Sequence, residues 1–222
     1  MNMKVHGIVF DLYGTLVYAE KPISFEDLSS ILLENGYEVY AQELRAAYLY
    51  VLFVDYPREK YSNFEEFFRK VCDRLYIKVD NESLKKIVSF YSRTRNKFFP
   101  EVLEVLEELK NKDLKMAVVT SVPLFAIQDI LSTLKKYMTV VTSRDTGCVK
   151  PNPRMFTYAL STLSLRPEEV LSVGDDYYLD LAIPRKMGMK TALVARGYSV
   201  IPYRFSCDFI LNDLKDLLRY LD

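Results

Sequence analysis

The chain has 222 residues, half of them apolar, and its 30 basic residues are balanced by 30 acidic ones. Length and composition fit one to two domains with a buried core, and a formal charge of zero argues against a nucleic-acid partner, which needs a basic footprint. The single His, His6, excludes paired-imidazole metal sites, and three scattered Cys without a CxxC argue against a disulfide framework or a zinc site.

Residues 5–10 are a short, mostly apolar run that stops at Asp11; they read as a buried strand and are too short for a signal-segment core. Gly14 marks a turn. The pattern then becomes helical. Ser24 caps a helix to Leu33 that Gly36 ends. Residues 41–53 are an apolar-rich helix, Asn63 caps 64–75, and Asn81 caps 82–91. Four helices in a row predict a small bundle. The basic stretch Arg93-Thr-Arg-Asn-Lys97 reads as a solvated helix end.

From Pro100 onward helices and strands alternate. Helix 101–110 precedes strand 115–120, helix 123–135 opens on a proline, and strand 138–142 follows. Helix 153–163, strand 170–174, helix 178–187 and strand 191–194 continue the series, before a last strand at 207–211 and a helix at 213–221. This alternation predicts an α/β fold, a Rossmann-like doubly wound parallel sheet. The α/β domain is discontinuous, 1–17 and 97–222, with a helical-bundle domain inserted at 18–96. No stretch approaches the roughly 18 apolar residues of a membrane-spanning helix, so a soluble, cytoplasmic protein with no membrane partner is expected.

In such a sheet, ligands bind beyond the carboxyl ends of the strands. The first strand ends in Asp11-Leu-Tyr-Gly-Thr15 and the second in Thr120-Ser121. A loop after the third carries Lys150-Pro151, and the fourth ends in Gly174-Asp175-Asp176 with Asp180 following. Each of these alone is an ordinary turn, cap or surface residue. Together they converge on one edge if the strands are adjacent.

This ordered set resembles the haloacid dehalogenase-like hydrolase superfamily. Phe10-Asp-Leu-Tyr-Gly-Thr-Leu16, Val118-Val-Thr-Ser121, Lys150-Pro-Asn-Pro-Arg-Met-Phe156 and Val173-Gly-Asp-Asp-Tyr-Tyr-Leu-Asp180 are similar to its four motifs, and the helical insertion sits where that family places a cap. The resemblance implies that Asp11 is the nucleophile, with Thr15, Thr120, Lys150 and Asp180 completing the catalytic set. It also implies Mg²⁺ held by Asp11, the backbone carbonyl of Tyr13, Asp175 and Asp176. Asp180 would steer Lys150, and Tyr13, Ser121 and Arg45 would meet the substrate.

Phosphatases of that family usually carry a second aspartate where this chain has Tyr13, and a phenol is a poor proton donor near neutral pH. Tyrosine there is similar to the 2-haloacid dehalogenase branch, which also uses an early cap arginine, the position Arg45 would fill. The acidic residues point the other way. Like charges about 4 Å apart repel by roughly 4 kcal/mol at an effective dielectric near 20, and Asp11, Asp175, Asp176 and Asp180 outweigh Lys150. A divalent cation relieves that repulsion, whereas a haloacid carboxylate adds to it. The first expectation is therefore Mg²⁺-dependent hydrolysis of a small phosphate ester or an acyl or aryl phosphate through an aspartyl-phosphate. Metal-independent 2-haloacid dehalogenation and a weakly active regulatory phosphate binder are the alternatives. The expected partner is a small molecule and the expected assembly a monomer or homodimer.

Overall fold

Short, wholly apolar strands belong at the centre of a parallel sheet, where helices cover both faces. The computed structural model describes residues 5–22, 24–196 and 206–221. Its strands are β1 (Gly7–Phe10), β2 (Val17–Glu20), β3 (Arg95–Phe98), β4 (Lys115–Thr120), β5 (Thr139–Thr142), β6 (Val170–Gly174), β7 (Lys190–Val194) and β8 (Phe209–Leu211). β1 and β6 are buried at every residue. Six of the strands form one parallel sheet in the order β5-β4-β1-β6-β7-β8. The chain runs outward from β1 through β4 to β5, then returns to β6 on the other side of β1. That reversal opens a crevice at the carboxyl ends of β4, β1 and β6, the place where doubly wound sheets bind ligands.

The helical segment contains α1 (Phe25–Glu34), α2 (Ala41–Tyr50), α3 (Tyr56–Glu59), α4 (Phe64–Arg74) and α5 (Asn81–Tyr91). Ser24 caps α1 in a reciprocal capping box with Asp27, and Asn63 caps α4. Two boundaries differ from the sequence reading. Helix 41–53 runs on through one π-turn, Val51–Asp55, into α3, because Val51, Leu52 and Tyr56 continue the buried stripe. The cap of α5 is Asp80, not Asn81: its carboxylate accepts from the Glu82 and Ser83 amides at 2.8 and 2.9 Å. Leu28, Leu44, Phe67, Phe68, Val71 and Leu84 form the core of this unit.

The basic stretch was expected to end a helix. Instead Arg95–Phe98 pairs antiparallel with Val17–Glu20, and Lys97 reaches Glu20 at 2.5 Å. This two-stranded ribbon joins the helical segment to the sheet.

The remaining helices are α6 (Val102–Asn111), α7 (Gln128–Leu134), α8 (Ser143–Thr146), α9 (Pro153–Leu163) and α10 (Ala182–Lys186). A 3-10 turn, Leu124–Ile127, replaces the first turn of the helix expected from 123, and residues Leu214–Arg219 are 3-10 rather than α. Strand alternation splits the packing into two layers. Ile8, Phe10 and Val118 pack with Val105, Leu106 and Leu109 of α6. Val9, Ala117 and Val119 pack with Met155, Ala159 and Leu163 of α9. Among the described residues, no helix is long and apolar enough to cross a membrane. His6 lies at the amino end of β1, exposed, with Nδ1 3.2 Å from Glu169.

Candidate active site

β1 delivers Asp11 to the switch point, and its amide continues the ladder to the Val173 carbonyl at 2.8 Å. β6 ends at Gly174, so Asp175 arrives beside it. The chain then starts a helical turn, and Asp180 returns one turn later, its amide bonded to the Asp176 carbonyl at 2.9 Å. Oxygens of Asp11, Asp175 and Asp180 come within 4.8 Å of one another. Lys150, from the loop before α9, is buried between them. Its Nζ donates to Asp11 Oδ1 and, at 2.7 Å, to Asp180 Oδ1.

Two glycines make this cluster possible. A Cβ on Gly14, whose φ is +84°, would lie 2.2 Å from Asp175 Oδ2. A Cβ on Gly174 would lie 2.3 Å from Asp180 Cβ. Only glycine lets the backbone pass this close to the carboxylates.

Burial opposes the charge on Lys150, but Asp11 and Asp180 more than offset it, so the ammonium is held well above its ordinary pKa. Burial, then the Asp11 charge, push the Asp175 and Asp180 carboxyls up. One cation does not neutralise three clustered carboxylates. Asp11 Oδ2 is also buried without a protein partner among the described residues. A buried, unpaired carboxylate oxygen in an acidic cluster is the environment a hard cation satisfies.

Asp176, expected beside Asp175 as a metal ligand, stands outside this cluster. Its Oδ1 accepts from the Tyr178 and Leu179 amides at 2.8 and 3.0 Å, capping the next turn. Consecutive residues leaving a strand do not share a direction, and the free amides of a helix start hold the second carboxylate. Asp180, expected in the catalytic set as the residue that steers Lys150, contacts it and also joins the cluster.

Thr120 is buried at the end of β4, and its Oγ1 accepts from the Val122 amide at 3.2 Å. Ser121 Oγ accepts from the Lys150 amide at 3.1 Å, tying β4 to the lysine loop. Thr15 is fully buried; its carbonyl accepts from Arg196 at 2.9 Å, and Oγ1 has no protein partner among the described residues. Arg45 is exposed on α2 and does not line the cavity described next. Leu44, Ala47 and Tyr48 form the inward stripe of α2, which turns position 45 to solvent and spares the guanidinium an unpaired burial.

A cavity of about 430 Å³ lies between the helical unit and the sheet. Tyr13, two residues from Asp11, lines it, together with Tyr48, Leu52, Phe64 and Tyr91 from the helical unit and Phe125 from the sheet side. Tyr13 donates its hydroxyl to Asn96 Oδ1 on β3. Asn96 in turn gives its side-chain amide to Asp129 at 2.7 Å and to the Ala126 carbonyl at 2.9 Å, and its backbone amide to Asp129 at 2.8 Å. Asn96 and Asp129 carried no motif signal; they meet Tyr13 through the ribbon and α7. Burial above all pushes the Tyr13 phenol well above its ordinary pKa, so it stays neutral.

The profile of the family described as haloacid dehalogenase-like hydrolase matches residues 8–194. A pyrophosphatase PpaX of Bacillus thuringiensis (strain Al Hakam) is 27% identical, the match covering 99% of this chain and 97% of that protein. Among solved structures, a HAD phosphatase from Thermococcus onnurineus superposes with a TM-score of 0.67 at 23% identity, covering 98% of this chain and 97% of that one. A 2-haloacid dehalogenase from Pseudomonas syringae pv. Tomato DC3000 superposes at 0.73 with 21% identity and 97% coverage of both chains. At these identities the structural likeness establishes the fold, which both activities share.

Proposed function

The chain belongs to the haloacid dehalogenase-like hydrolase family, and from that premise we propose that it is a Mg²⁺-dependent phosphatase with Asp11 as its nucleophile. The carrying observation is the cluster of Asp11, Asp175 and Asp180 around a single ammonium, with one oxygen of Asp11 unpaired. The residues proposed to hold the metal are Asp11, Asp175 and the Tyr13 backbone carbonyl, with Asp180 within reach and Asp176 left to its cap. Bound there, Mg²⁺ would offset the carboxylates and polarise a phosphoryl oxygen.

In this reading an Asp11 oxygen attacks phosphorus, the bond to the leaving oxygen breaks, and the leaving group departs with the electron pair. The aspartyl-phosphate is then cleaved by water, which returns the Asp11 carboxylate and releases phosphate. Lys150 holds Asp11 in place through its ammonium, and Asp180 orients Lys150. Thr120 and Ser121, at the carboxyl end of β4, are the groups proposed to hold phosphoryl oxygens. The Tyr13 phenol is neutral and its proton is committed to Asn96. The leaving group therefore departs without strong acid assistance, which favours aryl phosphates, acyl phosphates and phosphoanhydrides over alkyl esters. The name of the PpaX relative makes pyrophosphate a candidate among the last.

Dehalogenation fits less well. A haloacid would bring another carboxylate to an acidic cluster, and Arg45, the cation proposed to receive it, faces solvent. The test is release of 4-nitrophenol from 4-nitrophenyl phosphate, lost with EDTA and restored by Mg²⁺, beside chloride release from 2-chloropropionate without metal. Asp11→Asn should reduce the phosphatase to background. Metal-independent chloride release would establish dehalogenation instead, and phosphate binding without either turnover would establish the regulatory reading.

A further inference from the structure

The cavity lined by Tyr13, two residues along the chain from Asp11, has a chemistry of its own. Phe64 lines it, with its ring centroid 4.8 Å from Phe125 of the sheet side and 5.1 Å from Tyr91 of α5, both edge-on. Leu52 and Val122 add aliphatic surface. A dry apolar cavity of roughly 150 Å³ is enough for a benzene ring, and this one is about 430 Å³.

Tyr13, Asn96 and Asp129 in the lining satisfy one another, while Ser92, Thr94, Arg95 and Gln128 complete its polar side. Asn96 spends both side-chain amide donors and its backbone amide on Asp129 and Ala126, and receives the Tyr13 hydroxyl. The Tyr48 and Tyr91 hydroxyls lie 2.6 Å apart. That contact uses one of their two protons, which leaves one O–H for a ligand oxygen. Burial raises both phenols, so both stay protonated. Among the described lining residues the one cation is Arg95, which is exposed, and the one carboxylate is Asp129.

We propose that this cavity receives the leaving group of the substrate and that the leaving group is aromatic: the preferred substrates are aryl or aroyl phosphates, with the ring against Phe64, Tyr91 and Phe125 and a ring oxygen substituent met by the Tyr48–Tyr91 pair. This rests on the phosphatase reading of Asp11. It selects among the leaving groups that reading allows. A second phosphoryl group would carry up to about −2 charge into a ring-lined space beside Asp129, without a buried cation to receive it. Burying such a charge unpaired is strongly unfavourable.

The test separates ring recognition from leaving-group strength. Benzoyl phosphate and acetyl phosphate release carboxylates of similar basicity, and they differ in the ring. The kcat/KM for benzoyl phosphate should exceed that for acetyl phosphate by at least about tenfold, the scale a hydrophobic pocket gives for added apolar surface, with pyrophosphate slowest. Ala126→Leu, which narrows the cavity, should bring the benzoyl-to-acetyl ratio to within about twofold; Val122→Phe serves if that variant fails to fold, as judged by thermal melting. Phenol, titrated alone by calorimetry, should bind saturably and bind more weakly to the narrowed variant. A wild-type ratio near one, a ratio unmoved by narrowing, or pyrophosphate turned over as fast as benzoyl phosphate overturns the proposal. Saturable phenol binding without turnover of any phosphate would support the aromatic site and refute the phosphatase reading; no phenol binding overturns the site itself.

Discussion

Replacing Gly14 by alanine tests whether Asp175 is held in place by the backbone that passes it. Gly14 and Gly36 share the same φ of +84°. An L side chain in this left-handed region costs about 1–2 kcal/mol, and about 2–4 °C of Tm per kcal/mol is expected for a chain of this size. Gly36→Ala carries that strain alone, because a Cβ there meets nothing within 4 Å. Gly14→Ala carries it too, but its Cβ would lie 2.2 Å from Asp175 Oδ2. Ordinary contact then requires the carboxylate to retreat by about 1 Å, and a displacement of that size at reacting groups costs about 100-fold in rate. The paired expectation is similar backbone strain in the two variants but a roughly 100-fold loss of kcat/KM for 4-nitrophenyl phosphate in Gly14→Ala alone, with a raised Mg²⁺ requirement. Melting curves and Mg²⁺-dependent kinetics on both variants read this out. Activity within twofold of wild type in Gly14→Ala would refute the assignment of Asp175 to the metal set.

Three other outcomes are expected. Tyr13→Asp restores an acid where a neutral phenol now stands, so alkyl phosphates should gain at least about tenfold relative to aryl phosphates; equal changes for both classes would contradict the reasoning. Glu101 pairs with the largely covered Arg196, which also holds the Thr15 carbonyl and lies 3.7 Å over the Phe99 ring. Glu101→Ala strands that guanidinium and should cost about 3–5 kcal/mol in denaturant unfolding. Burial pushes the Glu101 carboxyl up, but Arg196 and nearby amides more than offset it, so its pKa is lowered; the stabilisation is present above the ordinary Glu range near 4.3 and fades as pH falls through the lowered value. Asn63→Ala removes the 2.9 Å bond to the Glu66 amide and should cost about 1 kcal/mol by thermal melting.

The site was legible where chemistry interrupts a pattern. Asp11 and Asp175 follow short buried strands and Thr120 ends one, and it was their recurrence in order, not any one of them, that could be read. The ribbon was not legible. Val17–Glu20 and Arg95–Phe98 are four residues each and partly exposed, without an apolar alternation long enough to read, and each is a strand only because the other is opposite it. Asn96 and Asp129 were missed for the same reason, since Asn96 meets Tyr13 and Asp129 meets Asn96 only across three separate segments.

The lone His, the balanced charge and the strand-end aspartates are properties of composition and local order. With the periods of the helices and strands they determine the fold class, while the family follows from the four ordered motifs, whose residues are the ones proposed to carry the chemistry. Which carboxylates face one another is a property of direction in space. Asp175 and Asp176 are neighbours in the chain, yet the turn after β6 sends the first into the cluster, holds the second as a helix cap, and returns Asp180 one turn later. The same holds for Arg45, turned outward by the stripe of α2, and for the aromatic cavity, whose walls come from α2, α4, α5 and the segment after β4. Local sequence sets backbone preference and chemical type; long-range packing alone decides which side chains share a space.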